Sequence, residues 1–350
     1  MTDSPANTPI TPLPATAVDK AEQHLRDILS LSFQHTAQHA AVVVFDTRSS
    51  LAQALTAAYR RCLPLAQFID FDTTSPDAVL AALAPLQAQD LVILVQSTHF
   101  RLEAYRFRVE LFKRGLKVIE HPHLGRMPGQ EALYYIESLA YDANYYRGTG
   151  KALKQRIDQA SRAVIDSGAG CQLVYGAKLE PAKLNVGDYS GMANIGGQFP
   201  IGEVFTEAVD LASVNGEVRI FVFGDTAFSV NRPPQPITLV VRHGQVLEAV
   251  DSTTEFDAVL DKIRQDEGVV WLRELGFGLN PAFSSERMVR DIGTFERMCG
   301  VHFSLGAKHG SYAKPHIKRG EGKYHIDVFA ATERVLLDDE EVYRNGRWLV

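Results

Sequence analysis

Cysteine is scarce in this chain of 350 residues. Its three cysteines, Cys62, Cys171 and Cys299, lie far apart in the sequence and form no Cys-x-x-Cys pair. A disulfide framework needs more cysteines than this, and a thiolate zinc site needs them in closely spaced pairs. The pattern excludes both and is typical of reduced thiols in a cytoplasmic protein.

An excess of basic residues is also absent. The 36 Lys and Arg residues are outnumbered by 42 Asp and Glu residues, so the formal net charge is -6. Together with the lack of a basic stripe interleaved with aromatic residues, this argues against a nucleic-acid partner. No run of about 18 apolar residues occurs, so we expect no membrane span. Residues 1–16 are rich in Pro, Thr and Ser without a cationic start, and we interpret them as a disordered tail, not a signal peptide.

The first half of the chain alternates strand-like and helix-like segments. The strand-like segments are AVVVFD (41–46), AQFIDFD (66–72), DLVILVQS (90–97) and LKVIEH (116–121). Between them lie segments with apolar residues at helical spacing, such as SSLAQALTAAYRRCL (49–63). Such alternation predicts an α/β domain over residues 17–165, with helices covering a parallel sheet.

Glycine-punctuated strand patterns replace the helical ones after about residue 168. They include GEVRIFVFGDTAF (216–228) and ITLVVRHGQVLEAV (237–250), and His243-Gly244 and Asn345-Gly346 are typical of tight hairpin turns. We expect KALKQRIDQASRAVIDSG (151–168) to be a polar helix that ends the first domain. Residues 166–350 are then predicted to form an α+β domain with a mainly antiparallel sheet.

Ligand-type side chains lie on two strand-like segments of this second domain. KYHIDVF (323–329) places His325 and Asp327 on one face, because side chains alternate along a strand. GVHFSLG (300–306) places His302 on the polar face in the same way. A solvent-facing strand surface would explain each segment separately.

Two glutamates stand in apolar surroundings, where a carboxylate is rarely buried without a partner. Glu203 lies between Ile201 and Val204, and Glu274 lies in WLRELGFGLNP (271–281). A structural explanation is open for both, since Glu203 could cap a helix starting at EVFTEA and Glu274 could pair with Arg273 or Arg297. A metal cation would also neutralise them.

Imidazoles and carboxylates without thiolates form the ligand type that suits zinc, cobalt, manganese or ferrous iron. The residues concerned are Glu203, Glu274, His302, His325 and Asp327. Such a set could hold one or two divalent ions, and two ions about 3.5–4 Å apart would activate a water between them.

Four of these segments, in this order and spacing, resemble the aminopeptidase T family of metallo-aminopeptidases. They are FPIGEVFTEAVDLASVNGEV, RELGFGLNP, GVHFSLGAKHG and YHIDVF, and the resemblance covers roughly residues 185–350. It implies that Glu203, Glu274, His302, His325 and Asp327 are the metal ligands and that the protein is a homodimer acting on small peptides. Metal-activated water would release N-terminal residues, with Glu203 or Glu274 as bridging ligand or general base.

The chain departs from the family at several positions near this site. Gly202 and Arg297 stand where many members carry glutamates, and His309 stands where the peptidases carry a tyrosine, with Tyr312 close by. We expect His309 to polarise the substrate carbonyl in place of that tyrosine. Arg297 changes the local charge by two units, which disfavours binding of a cationic N-terminus.

The same scaffold also resembles ring-cleaving dioxygenases of the 2,5-dihydroxypyridine type. That resemblance implies a single ferrous ion held by His302, His325 and Asp327, with positions left open for oxygen and a small-molecule substrate. A third possibility is a non-catalytic relative with a binding role, whose site Arg297 would block. The glycine- and lysine-rich segment 306–323 could be a surface loop or a lid over the site.

Overall fold

The structure is a computed structural model that describes residues 10–102, 105–315, 317 and 320–350. Residues 1–9 of the predicted tail lie outside the described residues, and the first helix begins at Ala15. The chain divides into two compact units, Met1–Tyr141 with Gly187–Pro200, and Asp142–Val186 with Ile201–Val350. The sequence predicted two independently folding domains, with limits at residues 17–165 and 166–350. These domain limits stay a prediction.

The described residues form helices and strands along the whole chain. The α-helices are α1 (Ala15–Asp27), α2 (Ser50–Cys62), α3 (Pro76–Leu83), α4 (Phe107–Lys113), α5 (Gln130–Ser138), α6 (Ala143–Gln159), α7 (Thr254–Glu267) and α8 (Ile292–Phe295). The strands are β1 (Ala41–Phe45), β2 (Gln67–Asp70), β3 (Leu91–Val95), β4 (Lys117–His121), β5 (Ala163–Asp166), β6 (Gln172–Tyr175), β7 (Lys183–Asn185), β8 (Ile195–Gln198), β9 (Glu203–Glu207), β10 (Val214–Gly224), β11 (Val230–Asn231), β12 (Ile237–Arg242), β13 (Gln245–Val250), β14 (Leu272–Gly278), β15 (Gly300–Leu305), β16 (Ile326–Ala330), β17 (Arg334–Leu337), β18 (Glu340–Arg344) and β19 (Arg347–Trp348). None of the helices in the described ranges is both long enough and apolar enough to cross a membrane.

The first unit contains a parallel sheet with strand order β2-β1-β3-β4-β8. All five residues of β3 are buried, as expected for a strand covered on both faces. Helices α2 and α3 begin after serines whose side chains accept a hydrogen bond from the backbone N–H three residues on, Ser49 from Ala52 and Ser75 from Ala78. The prediction of a parallel sheet with helices is confirmed, although the short edge strand β8 was not predicted.

The second unit is built on a separate antiparallel sheet, in agreement with the predicted α+β class. Its strand order is β19-β18-β17-β5-β6-β10-β16-β15-β14-β9-β7, with β12 also pairing β10 and β13 pairing β12. Helix α7 buries Phe256 against Phe223 of β10, with ring centroids 4.8 Å apart. One element prediction was wrong: the polar helix ends at Gln159, and Ala163–Asp166 of the same segment forms strand β5, paired with β6 and β17.

Candidate metal centre

Four of the predicted ligands lie on neighbouring strands of the antiparallel sheet, β9, β14, β15 and β16. The fifth, His325, directly precedes β16, because the strand predicted for residues 323–329 begins at Ile326. Glu203 on β9 pairs with Gly278 on β14, and Gly276 on β14 pairs with His302 on β15. Asp327 on β16 pairs with Ser304, two residues along β15 from His302. Directly paired residues project from the same face of a sheet, so the pairing gathers these side chains on one face.

The carboxylate of Glu274 lies between two imidazoles. Its Oε1 atom is 3.5 Å from Nε2 of His302, and its Oε2 atom is 3.4 Å from Nδ1 of His309. The same His302 Nε2 atom is 3.3 Å from Oε1 of Glu203. These four side chains are buried and form one continuous polar cluster.

His325 is oriented as a metal-binding histidine would be. Its Nδ1 atom lies 3.0 Å from the backbone carbonyl oxygen of Lys308, which can only accept a hydrogen bond, so Nδ1 carries the proton. Its Nε2 atom then faces Asp327, with 3.2 Å between Nε2 and Oδ1. Metal-ligating histidines usually donate their other ring N–H to a carbonyl or carboxylate in this way.

Two groups of three side chains among the described residues each offer ligand atoms within 4.8 Å of one another. They are Glu274, His309 and His325 in one group, and Glu203, Glu296 and His302 in the other. All five predicted ligands lie in or beside these groups, with Asp327 next to His325; their role as ligands stays a prediction. Glu296 was not predicted, because the sequence around it departs from the family pattern, and His309 was predicted only in a catalytic role.

Arg297 occupies the end of the cluster formed by Glu203 and Glu296. Its guanidinium is 5% exposed, forms an ion pair of 2.8 Å with Oε2 of Glu203, and contacts the Glu296 carboxylate as well. Arg273, in contrast, pairs with Glu207. The helix-cap explanation for Glu203 is therefore wrong, because Glu203 begins strand β9, and the partner of its carboxylate is Arg297. The pairing suggested for Glu274 with Arg273 or Arg297 stays a prediction.

The carboxylates of the cluster determine the pKa values of two of its imidazoles. Burial alone would lower the pKa of His302, but the Glu203 and Glu274 carboxylates outweigh it and raise this pKa to about 10. Burial is likewise outweighed at His325, where Asp327 and Glu274 raise the pKa to about 10. The carboxylates around both imidazoles therefore favour positive charge at this place, which a divalent ion would also supply.

The glutamates beside Arg297 have unequal acidity. Burial would raise the pKa of Glu203, but Arg297 together with His302 and His325 brings it below its usual value. Burial raises the pKa of Glu296 to about 8, with the Glu203 and Asp327 carboxylates contributing and Arg297 opposing. Glu203 is therefore the anionic partner of Arg297, and an ionised Glu203 locked to a guanidinium is a poor proton acceptor.

Three buried atoms of the cluster have no hydrogen-bond partner in the described structure: Nε2 of His302, Nε2 of His309 and Oδ1 of Asp327. The close contacts of His302 Nε2 and Asp327 Oδ1 given above do not have hydrogen-bond geometry. Buried polar atoms are almost always satisfied, and imidazole nitrogens and carboxylate oxygens are the donors that zinc, manganese and ferrous iron take. The donor set therefore fits a bound divalent ion.

Gly276 creates the space that the His302 ring occupies, and this gives a first prediction. A Cβ atom at Gly276 would lie 2.1 Å from Cε1 and Nε2 of His302. Replacing Gly276 with alanine should therefore displace the ring, lower the free energy of unfolding by about 1–3 kcal/mol and weaken metal binding. Denaturant unfolding and metal titration measure both effects, and Gly148→Ala in helix α6, where no atom lies within 4 Å of the added Cβ, is the control. An alanine variant with unchanged metal affinity would exclude a ligand role for His302.

Comparison with known proteins identifies the fold of the chain but not a family to which it belongs. No protein-family model matches the chain, and no curated protein matches it. Among solved structures, 2,5-dihydroxypyridine dioxygenase from Pseudomonas putida KT2440 is similar, with a TM-score of 0.61 and 16% identity over 97% of this chain and 98% of that chain. AmpT from Thermus thermophilus is similar with a TM-score of 0.56 and 14% identity over 95% of this chain and 99% of that chain. Both families that the sequence resembles are thus represented among proteins with this fold.

Proposed function

We propose that the chain is a metal-dependent oxygenase that holds one ferrous ion and opens a hydroxylated aromatic or heteroaromatic ring. The observation that carries this proposal is the buried Arg297, which pairs with Glu203 and Glu296 at one end of the cluster. Its guanidinium supplies the positive charge that a second metal ion would bring in a two-metal hydrolase. Two carboxylates that could have held that second ion are already neutralised.

The remaining donors would hold the single ion. His302, His325 and Asp327 give two imidazoles and a carboxylate, the composition of the facial sets that bind ferrous iron, and Glu274 lies beside His302. When bound, such an iron supplies the redox chemistry with dioxygen that amino-acid side chains lack. The chain contributes the geometry: the Lys308 carbonyl orients His325, and Gly276 leaves room for His302.

Charge also distinguishes the oxygenase from an aminopeptidase. An aminopeptidase binds a cationic N-terminus, which Arg297 would repel at short range. A dioxygenase of the 2,5-dihydroxypyridine type, such as the similar Pseudomonas putida protein, is named for an aromatic ring substrate. A substrate of this class carries acidic hydroxyl groups and no ammonium, so it is compatible with a buried guanidinium.

A metallo-aminopeptidase-like hydrolase is the second candidate, because both Glu203 and Glu274 are retained. In that enzyme Glu203 would be bridging ligand or general base and His309 would polarise the carbonyl. The Arg297 pair opposes the role of Glu203, since the carboxylate would have to exchange an ion pair for a metal or a proton. Glu274, which lies between His302 and His309, is the better placed base.

Oxygen consumption, measured with an oxygen electrode, distinguishes the two candidate reactions. Protein loaded anaerobically with ferrous ion should consume about one dioxygen per ring when mixed with dihydroxylated pyridines or benzenes, and zinc-loaded protein should consume none. Neither form should release amino acids from leucyl or alanyl peptides. Peptide cleavage by zinc-, cobalt- or manganese-loaded protein without oxygen uptake would reject the oxygenase and establish the hydrolase.

A further inference from the structure

His309 has the environment of a ligand, although it was predicted to act on the substrate. Its side chain is 3% exposed, its Nε2 atom has no hydrogen-bond partner, and its Nδ1 atom lies 3.4 Å from Oε2 of Glu274. Its ring is stacked on that of His325 with centroids 5.9 Å apart. With Glu274 and His325 it forms one of the two groups whose ligand atoms lie within 4.8 Å. Two imidazoles and a carboxylate are again a complete ligand composition.

The segment that carries His309 is fastened at both sides by a buried guanidinium. Arg273 on β14 is 2% exposed and pairs with the fully buried Glu207. Its remaining N–H groups donate hydrogen bonds of 2.6 Å to the Ala307 carbonyl and 3.1 Å to the Tyr312 carbonyl. These two carbonyls lie two residues before and three residues after His309. The rigid guanidinium of Arg273 therefore fixes the backbone on both sides of His309.

Lys314 extends this attachment. Its side chain is 2% exposed, and its ammonium lies 2.6 Å from Oε1 of Glu180 and 3.3 Å from Oε2 of Glu207. Glu207 therefore contacts both Arg273 and Lys314. Arg273, Glu207 and Lys314 are buried, and burying three charged groups costs free energy. Such a cost is unusual for the attachment of a surface loop and indicates that the position of this segment matters for function.

We propose that His309 is a metal ligand of this protein and that Arg273, Glu207 and Lys314 are positioning residues that hold its segment against the ion. The proposal rests on the proposed function in requiring a bound ion, and it holds for either candidate reaction. It assigns to His309 a role different from the carbonyl polarisation expected from the sequence. Because the ligand comes from a segment held by ion pairs, loosening the segment should release the metal without altering the sheet ligands.

Metal affinity in a double-mutant cycle tests this arrangement. The dissociation constant for cobalt(II), followed through its visible absorption band, is measured in the wild-type protein, His309→Gln, Lys314→Met and the double variant. We expect each single change to weaken binding about 10–100-fold and to alter the band shape, since coordination changes. The double variant should bind no more weakly than His309→Gln, because Lys314 acts only through His309. Lys314→Arg, which keeps the charge, should recover most of the affinity.

Lys178→Met is the matched control, since it removes an exposed lysine from the same unit. Far-ultraviolet circular dichroism checks that every variant is folded, and Arg273→Lys replaces Lys314→Met if the latter is not. A His309→Gln protein that binds cobalt as tightly as wild type, with the same band, overturns the inference and leaves the proposed function standing. A wild-type protein that binds no divalent ion overturns both. Additive losses in the double variant exclude the positioning role.

Discussion

Replacing Arg297 with methionine should lower the free energy of unfolding of the metal-free protein by about 3–5 kcal/mol. The guanidinium is the buried partner of Glu203 and contacts Glu296, so its loss leaves carboxylates without compensation in a site with little access to water. Divalent ions should then occupy that end of the cluster. We expect the variant to bind a second equivalent of zinc or manganese and to regain about 2–3 kcal/mol at metal concentrations near 100 times the dissociation constant.

Denaturant unfolding with and without metal, combined with metal analysis, measures this effect. Arg242→Met is the control: Arg242 lies in the same unit and donates to the backbone carbonyls of Gly216 and Val241, so its loss should change stability by less than about 0.5 kcal/mol. The stability of Arg297→Lys should lie between those of Arg297→Met and Arg242→Met, because lysine keeps the positive charge but lacks the planar guanidinium with its several N–H donors. If Arg297→Met is as stable as the wild type and binds no additional metal, Arg297 does not replace an ion.

Replacing His325 with alanine should weaken metal binding by roughly 100-fold or more, about 2.7 kcal/mol. His325 is the imidazole whose tautomer is fixed by the Lys308 carbonyl and whose Nε2 atom faces Asp327. Its removal eliminates a ligand and leaves Asp327 without the imidazole that lies beside it. Asp327→Ala should have a similar effect, because Oδ1 of Asp327 is one of the buried atoms without a hydrogen bond.

Glu203→Gln and His243→Ala make this prediction specific. Glu203 is paired with Arg297, so we expect its amide variant to keep the ion with less than about a tenfold loss of affinity. His243 lies exposed in the β12–β13 hairpin, so its replacement should leave the metal affinity unchanged. Isothermal titration of the four variants with one metal measures the differences. Metal binding that depends on Glu203 and tolerates His325→Ala would contradict the assignment of the ion to the Glu274 end.

Much of the secondary structure of the first unit was readable from the sequence, because strands β1, β3 and β4 are almost fully buried and helices α2 and α3 carry serine caps. Local patterns could not reveal that Ile195–Gln198 joins the sheet as β8, because three of its four residues are glycine or glutamine. Its pairing with β4 depends on residues far away in the chain. The strand Ala163–Asp166 was assigned to a helix because it follows a helix directly, and only its pairing with β6 and β17 distinguishes it.

The candidate site was predictable to the extent that its residues contrast with their surroundings. Glu203 and Glu274 stand among apolar residues, and His302 and His325 alternate with apolar residues in the sequence. The contacts of His309 and Arg297 follow from loops whose course depends on distant partners, such as the Arg273 fork that fixes Ala307 and Tyr312. Sequence spacing carries no signal for such contacts. His316, Lys318 and Arg319 of the glycine- and lysine-rich segment, interpreted as a surface loop or a lid, lie outside the described residues.

The number of metal ions per chain tests the central claim most directly. Protein purified anaerobically without chelator, reconstituted with ferrous ion and freed of excess metal, should contain close to one equivalent by elemental analysis. One equivalent agrees with a cluster in which Arg297 replaces a second ion and the donors around Glu274 hold the first. Two equivalents in the wild-type protein, or none, would contradict this account.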